Sequence, residues 1–133
     1  MAYVNHPPVR TGTAFDDLPP GETMIASINA RASSRAGFNP FDTKKVAAEG
    51  AGEWSYTDER LDGRKVLVVT AYGGIVLAVF KVLGWKHERP NGSRLNKATF
   101  KLVEDKELTK ALRGERTPYK RKRGQMGGII FVG

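Results

Sequence analysis

Apolar positions concentrate in one stretch, KVLVVTAYGGIVLAVFKVLGW over 65–85. Two β-branched, hydrophobic runs, 66–70 and 75–83, flank Ala71-Tyr72-Gly73-Gly74. The paired glycines supply the positive φ that a tight reversal needs, so the pattern predicts a β-hairpin. Val66, Leu67, Val68 and Val69 show no polar alternation, and only Lys81 interrupts the second run. Both faces are therefore expected to be covered and the pair to lie mid-sheet. The alternative, one long buried helix, would carry Gly73-Gly74 in its middle at roughly 1 kcal/mol per glycine.

Around this hairpin the chain reads as short elements. Residues 1–21, with Pro7-Pro8, Pro19-Pro20, Gly12 and Gly21, form an extended N-terminal arm that Tyr3, Val4 and Phe15 would pin. A first core strand is expected over 23–29. The loop 30–39, with Arg31 and Arg35, is either a solvated connection or a phosphate-contacting one. A short helix follows over 40–50, capped by Asp42 or Thr43 and stopped by Gly50. In 51–60, Trp54 and Tyr56 lie two apart, as on one face of a strand or extended loop, and serve either packing or a ligand platform. Residues 86–97 form a polar turn region with Pro90-Asn91-Gly92 at its tip, and 98–103 a strand with Phe100 and Leu102 inward. Leu108, Ala111 and Leu112 mark one face of a helix over 105–113, with Asp105 as cap and Gly114 as stop. A basic loop, 117–124, and a last strand, 128–132, complete an α+β domain over 22–133. Its sheet is small, curved and mixed or barrel-like, with five or six strands, two short helices and no βαβ rhythm.

The 133-residue length suits a single core. Hydrophobic residues make up 40% of the chain, which argues for a globular protein, and 15 Gly with 7 Pro argue for many turns. The absence of cysteine excludes disulfides and thiolate metal sites and is compatible with a cytoplasmic location. No apolar run reaches the roughly 18 residues of a membrane span, and no leader-like segment opens the chain. A soluble, unexported protein is expected.

Charge changes the picture more. Residues 1–60 hold 6 Lys or Arg against 8 Asp or Glu, and residues 61–133 hold 16 against 6, or −2 and +10. Such asymmetry is the footprint of a polyanionic partner, nucleic acid first and anionic membrane a distant second. It peaks between Lys110 and Arg123, where Lys110, Arg113, Arg116, Lys120, Arg121, Lys122 and Arg123 face the single Glu115. A run like this is either a solvated face or, held between a helix and a core strand, a directed field for phosphates. Tyr119, together with Trp54, Tyr56, Tyr72 and Trp85, offers rings on which a base could stack. Catalysis is poorly supported. The two histidines, His6 and His87, fall in the arm and in a polar turn, and the paired carboxylates Asp16-Asp17, Asp58-Glu59 and Glu104-Asp105 form no metal or acid-base motif. No cofactor is expected.

The order EGAGEWS, VLVVTAYGGIVLAVFKVLGW, ATFKLVED, a short helix and TPYKRKRGQMGGIIFV resembles the PUA-like superfamily, closest to its small EVE-like and ASCH-like β-barrel domains. The likeness covers residues 23–132. It implies a pseudobarrel that binds RNA or DNA, with several such domains holding a flipped or modified base in an aromatic-lined pocket. By position, Trp54 and Tyr56 would line the pocket mouth, Trp85 would follow the hairpin, and residues 121–124 would approach the backbone. Two departures stand out: EGAGEW replaces the relatives' Arg-Gly-Trp-Trp-like run, and QMGG replaces their polar-proline closure. The expectation is a non-catalytic nucleic-acid-binding domain that reads a flipped or modified base. Arg113, Arg116, Lys120, Arg121, Lys122 and Arg123 would meet the backbone, and Trp54, Tyr56, Tyr72, Trp85 and Tyr119 the base. The competing expectation is a protein-binding module, an inhibitor or accessory factor docking on an acidic surface of a nucleic-acid enzyme.

Overall fold

Leu67, Val68 and Val69 are consecutive residues with no exposed surface, which a strand achieves only when its sheet is packed on both faces. The sheet consists of β1 (Thr23–Ser27), β2 (Val66–Ala71), β3 (Ile75–Glu88), β4 (Lys97–Glu104) and β5 (Ile129–Phe131). Their order is β4-β3-β2-β1-β5, so β2 is the central strand. β1 runs parallel to β2, and every other neighbouring pair is antiparallel. The connection between the parallel strands contains α1 (Thr43–Ala51) and α2 (Asp58–Leu61), and α3 (Lys106–Leu112) follows β4. The computed structural model describes residues 18–19, 21–28, 39–52, 54–71, 74–88, 97–117 and 129–132.

Two hydrophobic clusters cover the two faces. Met24, Leu67, Val69, Phe80 and Phe100 pack with Val46 of α1, Leu61 of α2 and Trp54. Ile25, Val68 and Val79 pack on the other side with Leu108 and Leu112 of α3 and with Leu18. Leu18 belongs to the stretch expected as an arm; Tyr3, Val4 and Phe15 lie outside the described residues. The fold is thus α+β with a curved, mixed, five-stranded sheet and three helices.

Side-chain caps start the helices. Asp42 accepts from the Lys44 amide at 3.0 Å, Thr57 from Arg60 at 3.3 Å, and Asp105 from Leu108 at 3.1 Å. The cap at Thr57, with Asp58 and Glu59 in the first turn, makes 58–61 helical where an extended segment was expected. Gly114, at φ +89°, ends α3 as expected.

Three further expectations are corrected. The parallel β1–β2 pair forms one helix-containing crossover despite the lack of a βαβ rhythm. β3 does not yield to a turn at Lys86 but runs to Glu88, because its polar end pairs with Lys97–Thr99 of β4. Gly50 does not stop the first helix; it lies inside α1, where an added Cβ would meet Val69 Cγ2 at 2.7 Å. It is the point of closest approach between α1 and β2.

β3 also carries two irregularities. Leu77 is an extra residue between the pairs Thr70–Val76 and Val69–Ala78, and Leu83 another between Val82–Leu102 and Gly84–Lys101. Each bulge shifts the two-residue alternation by one. After the second, Trp85 and His87 turn to the face covered by α1 and α2, and Lys86 to the opposite one. The segment after α1 bends around both outer strands. The Trp54 and Ala98 backbones exchange hydrogen bonds of 2.8 and 2.7 Å on the β4 side. Two residues on, the Tyr56 ring meets Phe131 of β5 edge-on, with centroids 5.0 Å apart.

Gly50→Ala gains about 1 kcal/mol of helix propensity but overpacks a rigid, buried valine at a cost of about 1–3 kcal/mol. Urea unfolding is expected to show net destabilisation, and Gly50→Ala with Val69→Ala a smaller loss than the two single changes summed. A stabilised Gly50→Ala protein would contradict the close approach.

Candidate functional site

β4 pairs with β3 only from Phe80 onward, which leaves the first residues of β3 open on that side. The chain leaving α3 fills the gap. The Gly114 amide donates to Val76 O at 3.0 Å, Val76 to Glu115 O at 2.9 Å, and Thr117 to Gly74 O at 2.8 Å. Residues 114–117 thus hang the start of the basic stretch on a core strand. Arg116 is exposed on this segment, while Glu115 is buried, with 2% of its surface accessible.

Arg113, expected at a phosphate, is placed otherwise. Its Nε donates to Leu77 O at 3.0 Å, and its Nη2 lies 3.5 Å from Thr43 Oγ1. The bulge at Leu77 presents a carbonyl between the end of β4 and residue 114, and the half-buried guanidinium satisfies it. Lys120, Arg121, Lys122, Arg123 and Tyr119 lie outside the described residues, as does Tyr72. Their described flanks share one end of the sheet: Ile28 N donates to Thr70 O at 2.9 Å, Thr117 bonds Gly74, and Ile129 pairs with Ala26.

The other aromatic candidates divide. Trp54 is 5% exposed, and its Nε1 donates to Gly50 O at 2.8 Å. This ring is placed in the core, where the close approach of α1 to the sheet draws it in, and not at the surface where a pocket mouth was expected. Tyr56 and Trp85 are half-buried and linked through Asp58. Trp85 Nε1 donates to Asp58 Oδ1 at 2.8 Å, the same oxygen lies 2.9 Å from His87 Nδ1, and His87 Nε2 lies 2.8 Å from Tyr56 O. Through these two contacts His87 ties the end of β3 to the Tyr56 segment. On the far side of Tyr56, the Phe131 ring carries Arg60 at 4.4 Å and Arg64 at 5.1 Å from its centroid. Burial, and after it the neighbouring Arg60 charge, hold the Arg64 guanidinium below its ordinary value. It spends its Nη1 on Thr23 O and Val132 O, at 3.0 and 2.7 Å.

One feature escaped the sequence analysis. The side of the β3–β4 ribbon facing away from Phe100 and Trp85 carries exposed Lys81, Lys86 and Lys101. Between the last two is a depression of about 600 Å³, lined also by Gly84, Trp85, Thr99 and Phe100. The signal was present as lysines punctuating apolar runs, but their common face depends on the bulge at Leu83.

Among the described residues no three His, Cys, Asp or Glu side chains gather to hold a metal, and no helix is long and apolar enough to cross a membrane. No family model matches the chain, and no curated protein or solved structure matches it significantly. The site is therefore read from its own geometry.

Replacing Arg113 by Met keeps most of the aliphatic stem but leaves the Leu77 carbonyl without its donor. A loss of about 1–2 kcal/mol in urea unfolding is expected. Unchanged stability would remove Arg113 from the framework and return it to the candidate phosphate contacts.

Proposed function

We propose that this chain is a non-catalytic nucleic-acid-binding domain that grips the sugar-phosphate backbone. The observation carrying this reading is the charge distribution, +10 over residues 61–133 against −2 over 1–60. It draws support from the described anchors on either side of the most basic segment: residues 114–117 on β3, and Ile129–Phe131 on β1. Anchoring the flanks of a cationic segment reduces the entropy lost when it meets phosphates. A PUA-like pseudobarrel is the finer form of the proposal. The curved mixed sheet and the segment that touches both outer strands, Ala98 at Trp54 and Phe131 at Tyr56, are consistent with it.

Base reading is the weaker part of the expectation. The Trp54 ring is committed to the core, so selectivity for a flipped base would fall to Tyr56, Tyr72, Trp85 or Tyr119. The proposal rests on backbone contacts.

If five or six cations meet phosphates, the logarithm of affinity falls against log salt with a slope of roughly −4 to −5. Arg121→Glu, Lys122→Glu and Arg123→Glu together should abolish the retarded band in a mobility-shift assay while leaving the unfolding curve in place. Retention of the band would take this segment out of the interface. A partner protein captured after nuclease treatment, with no oligonucleotide bound, would favour the protein-binding alternative.

A further inference from the structure

Lys81, Lys101 and Lys86 occupy one face of the β3–β4 ribbon in a regular order. Lys81 is opposite Val103, Lys101 opposite Gly84, and Lys86 opposite Thr99. Directly paired residues in an antiparallel ribbon share a face, and each of these pairs is two residues beyond the last on β4. With ~3.4 Å of rise per residue, successive lysines are ~7 Å apart along the ribbon and alternate between strands ~4.8 Å apart. A stacked nucleic-acid strand advances ~3.4 Å per phosphate, so one lysine falls to about every second phosphate.

The remainder of the face fits the same ligand. Gly84 supplies no side chain, and an added Cβ there would touch nothing within 4 Å, so the depression beside Lys86 and Lys101 is open at that position. Leu83 and Val103 are 58% and 48% exposed, unusual for large aliphatics on an otherwise polar face. They suit the apolar edges of sugars and bases. Among the described side chains no carboxylate pairs with any of the three lysines, and the next pair along the ribbon, Glu88 with Lys97, places one position of each sign at its end. Between Lys81 and Lys86 the charged positions of this face are all cationic, where a face kept for solubility alone mixes signs.

From this spacing, charge and exposure we infer that the β3–β4 face is a second backbone track, on which a nucleic-acid strand lies lengthwise across Lys81, Lys101 and Lys86 with the depression at Gly84 beneath it. The inference rests on the nucleic-acid reading proposed above and adds to it residues other than Lys120, Arg121, Lys122 and Arg123. Lysines act here as point charges, so the track supplies affinity without base selectivity.

The test is a salt titration of binding to labelled oligothymidylate and, in a parallel arm, oligouridylate. Lys81→Gln, Lys86→Gln and Lys101→Gln together should reduce the magnitude of the log–log slope by about 2 and weaken binding at low salt by about tenfold or more. The matched control, Lys44→Gln, Lys45→Gln and Lys106→Gln on exposed helix positions, should leave the slope unchanged. Gly84→Glu should weaken binding several-fold without lowering the unfolding temperature, whereas Gly84→Ala should bind as the parent does. Equal effects in both arms mean a track that reads phosphate; loss confined to the uridylate arm means one that also uses the 2′-hydroxyl. Should the lysine triple behave like its control while Arg121→Glu, Lys122→Glu and Arg123→Glu still abolish binding, the track is overturned and the nucleic-acid reading survives. If the parent protein binds neither oligonucleotide, both fall.

Discussion

Because Leu67, Val68 and Val69 are completely buried, β2 needs cover on both faces at once, and this demand organises the molecule. One face is covered by α1, α2 and Trp54, inserted between β1 and β2, and the other by α3 after β4. The helices are short, so cover runs out toward the far end of the β3–β4 ribbon. Placing the largest cover over the central strands leaves the ribbon's second face to solvent. The exposed lysine surface is thus a consequence of how the core was closed.

The two bulges in β3 translate that arrangement into chemistry. At Leu77 the extra residue frees a carbonyl that Arg113 takes up, joining α3 to the sheet just before the basic stretch begins. At Leu83 the extra residue exchanges the faces of everything beyond it. Trp85 and His87 are thereby turned toward Asp58 and Tyr56, and Lys86 toward Lys101. Were Leu83 to pair regularly with Lys101 instead of bulging, Lys86 would turn to the face of Phe100 and Trp85 away from it, a rearrangement no side-chain adjustment could absorb.

The central hairpin was legible because an uninterrupted β-branched run with two glycines at its middle has few other outcomes. The helix over 106–112 was legible through Asp105, its leucine spacing and Gly114. The length of β3 was not, since Lys86-His87-Glu88 is polar and Gly84 reads as a breaker. Those residues are strand because Lys97–Thr99 pair with them, a long-range cause invisible in a local window. Gly50 misled for a related reason: glycine marks a helix end in isolation, but here it admits Val69. Trp54 and Arg113 were assigned by residue type to ligand contacts. Tertiary packing instead spends the indole on Gly50 O and the guanidinium on Leu77 O. Of the eleven expected site residues, Tyr72, Tyr119 and the cations from Lys120 to Arg123 lie outside the described part.

A formal net charge of +8 on 133 residues is a standing electrostatic load, because like charges crowd together on folding. Some of it is used internally: Arg64 bridges Thr23 O and Val132 O, and Arg60 rests on Phe131. Lys81, Lys86 and Lys101 are different. They contribute no described ion pair to the fold, and their mutual repulsion opposes it slightly at low salt. Cations ordered along a sheet at a regular interval, with no described ion pair, remain available to an external anion. The same logic separates the arginines that hold this sheet together from the lysines it displays.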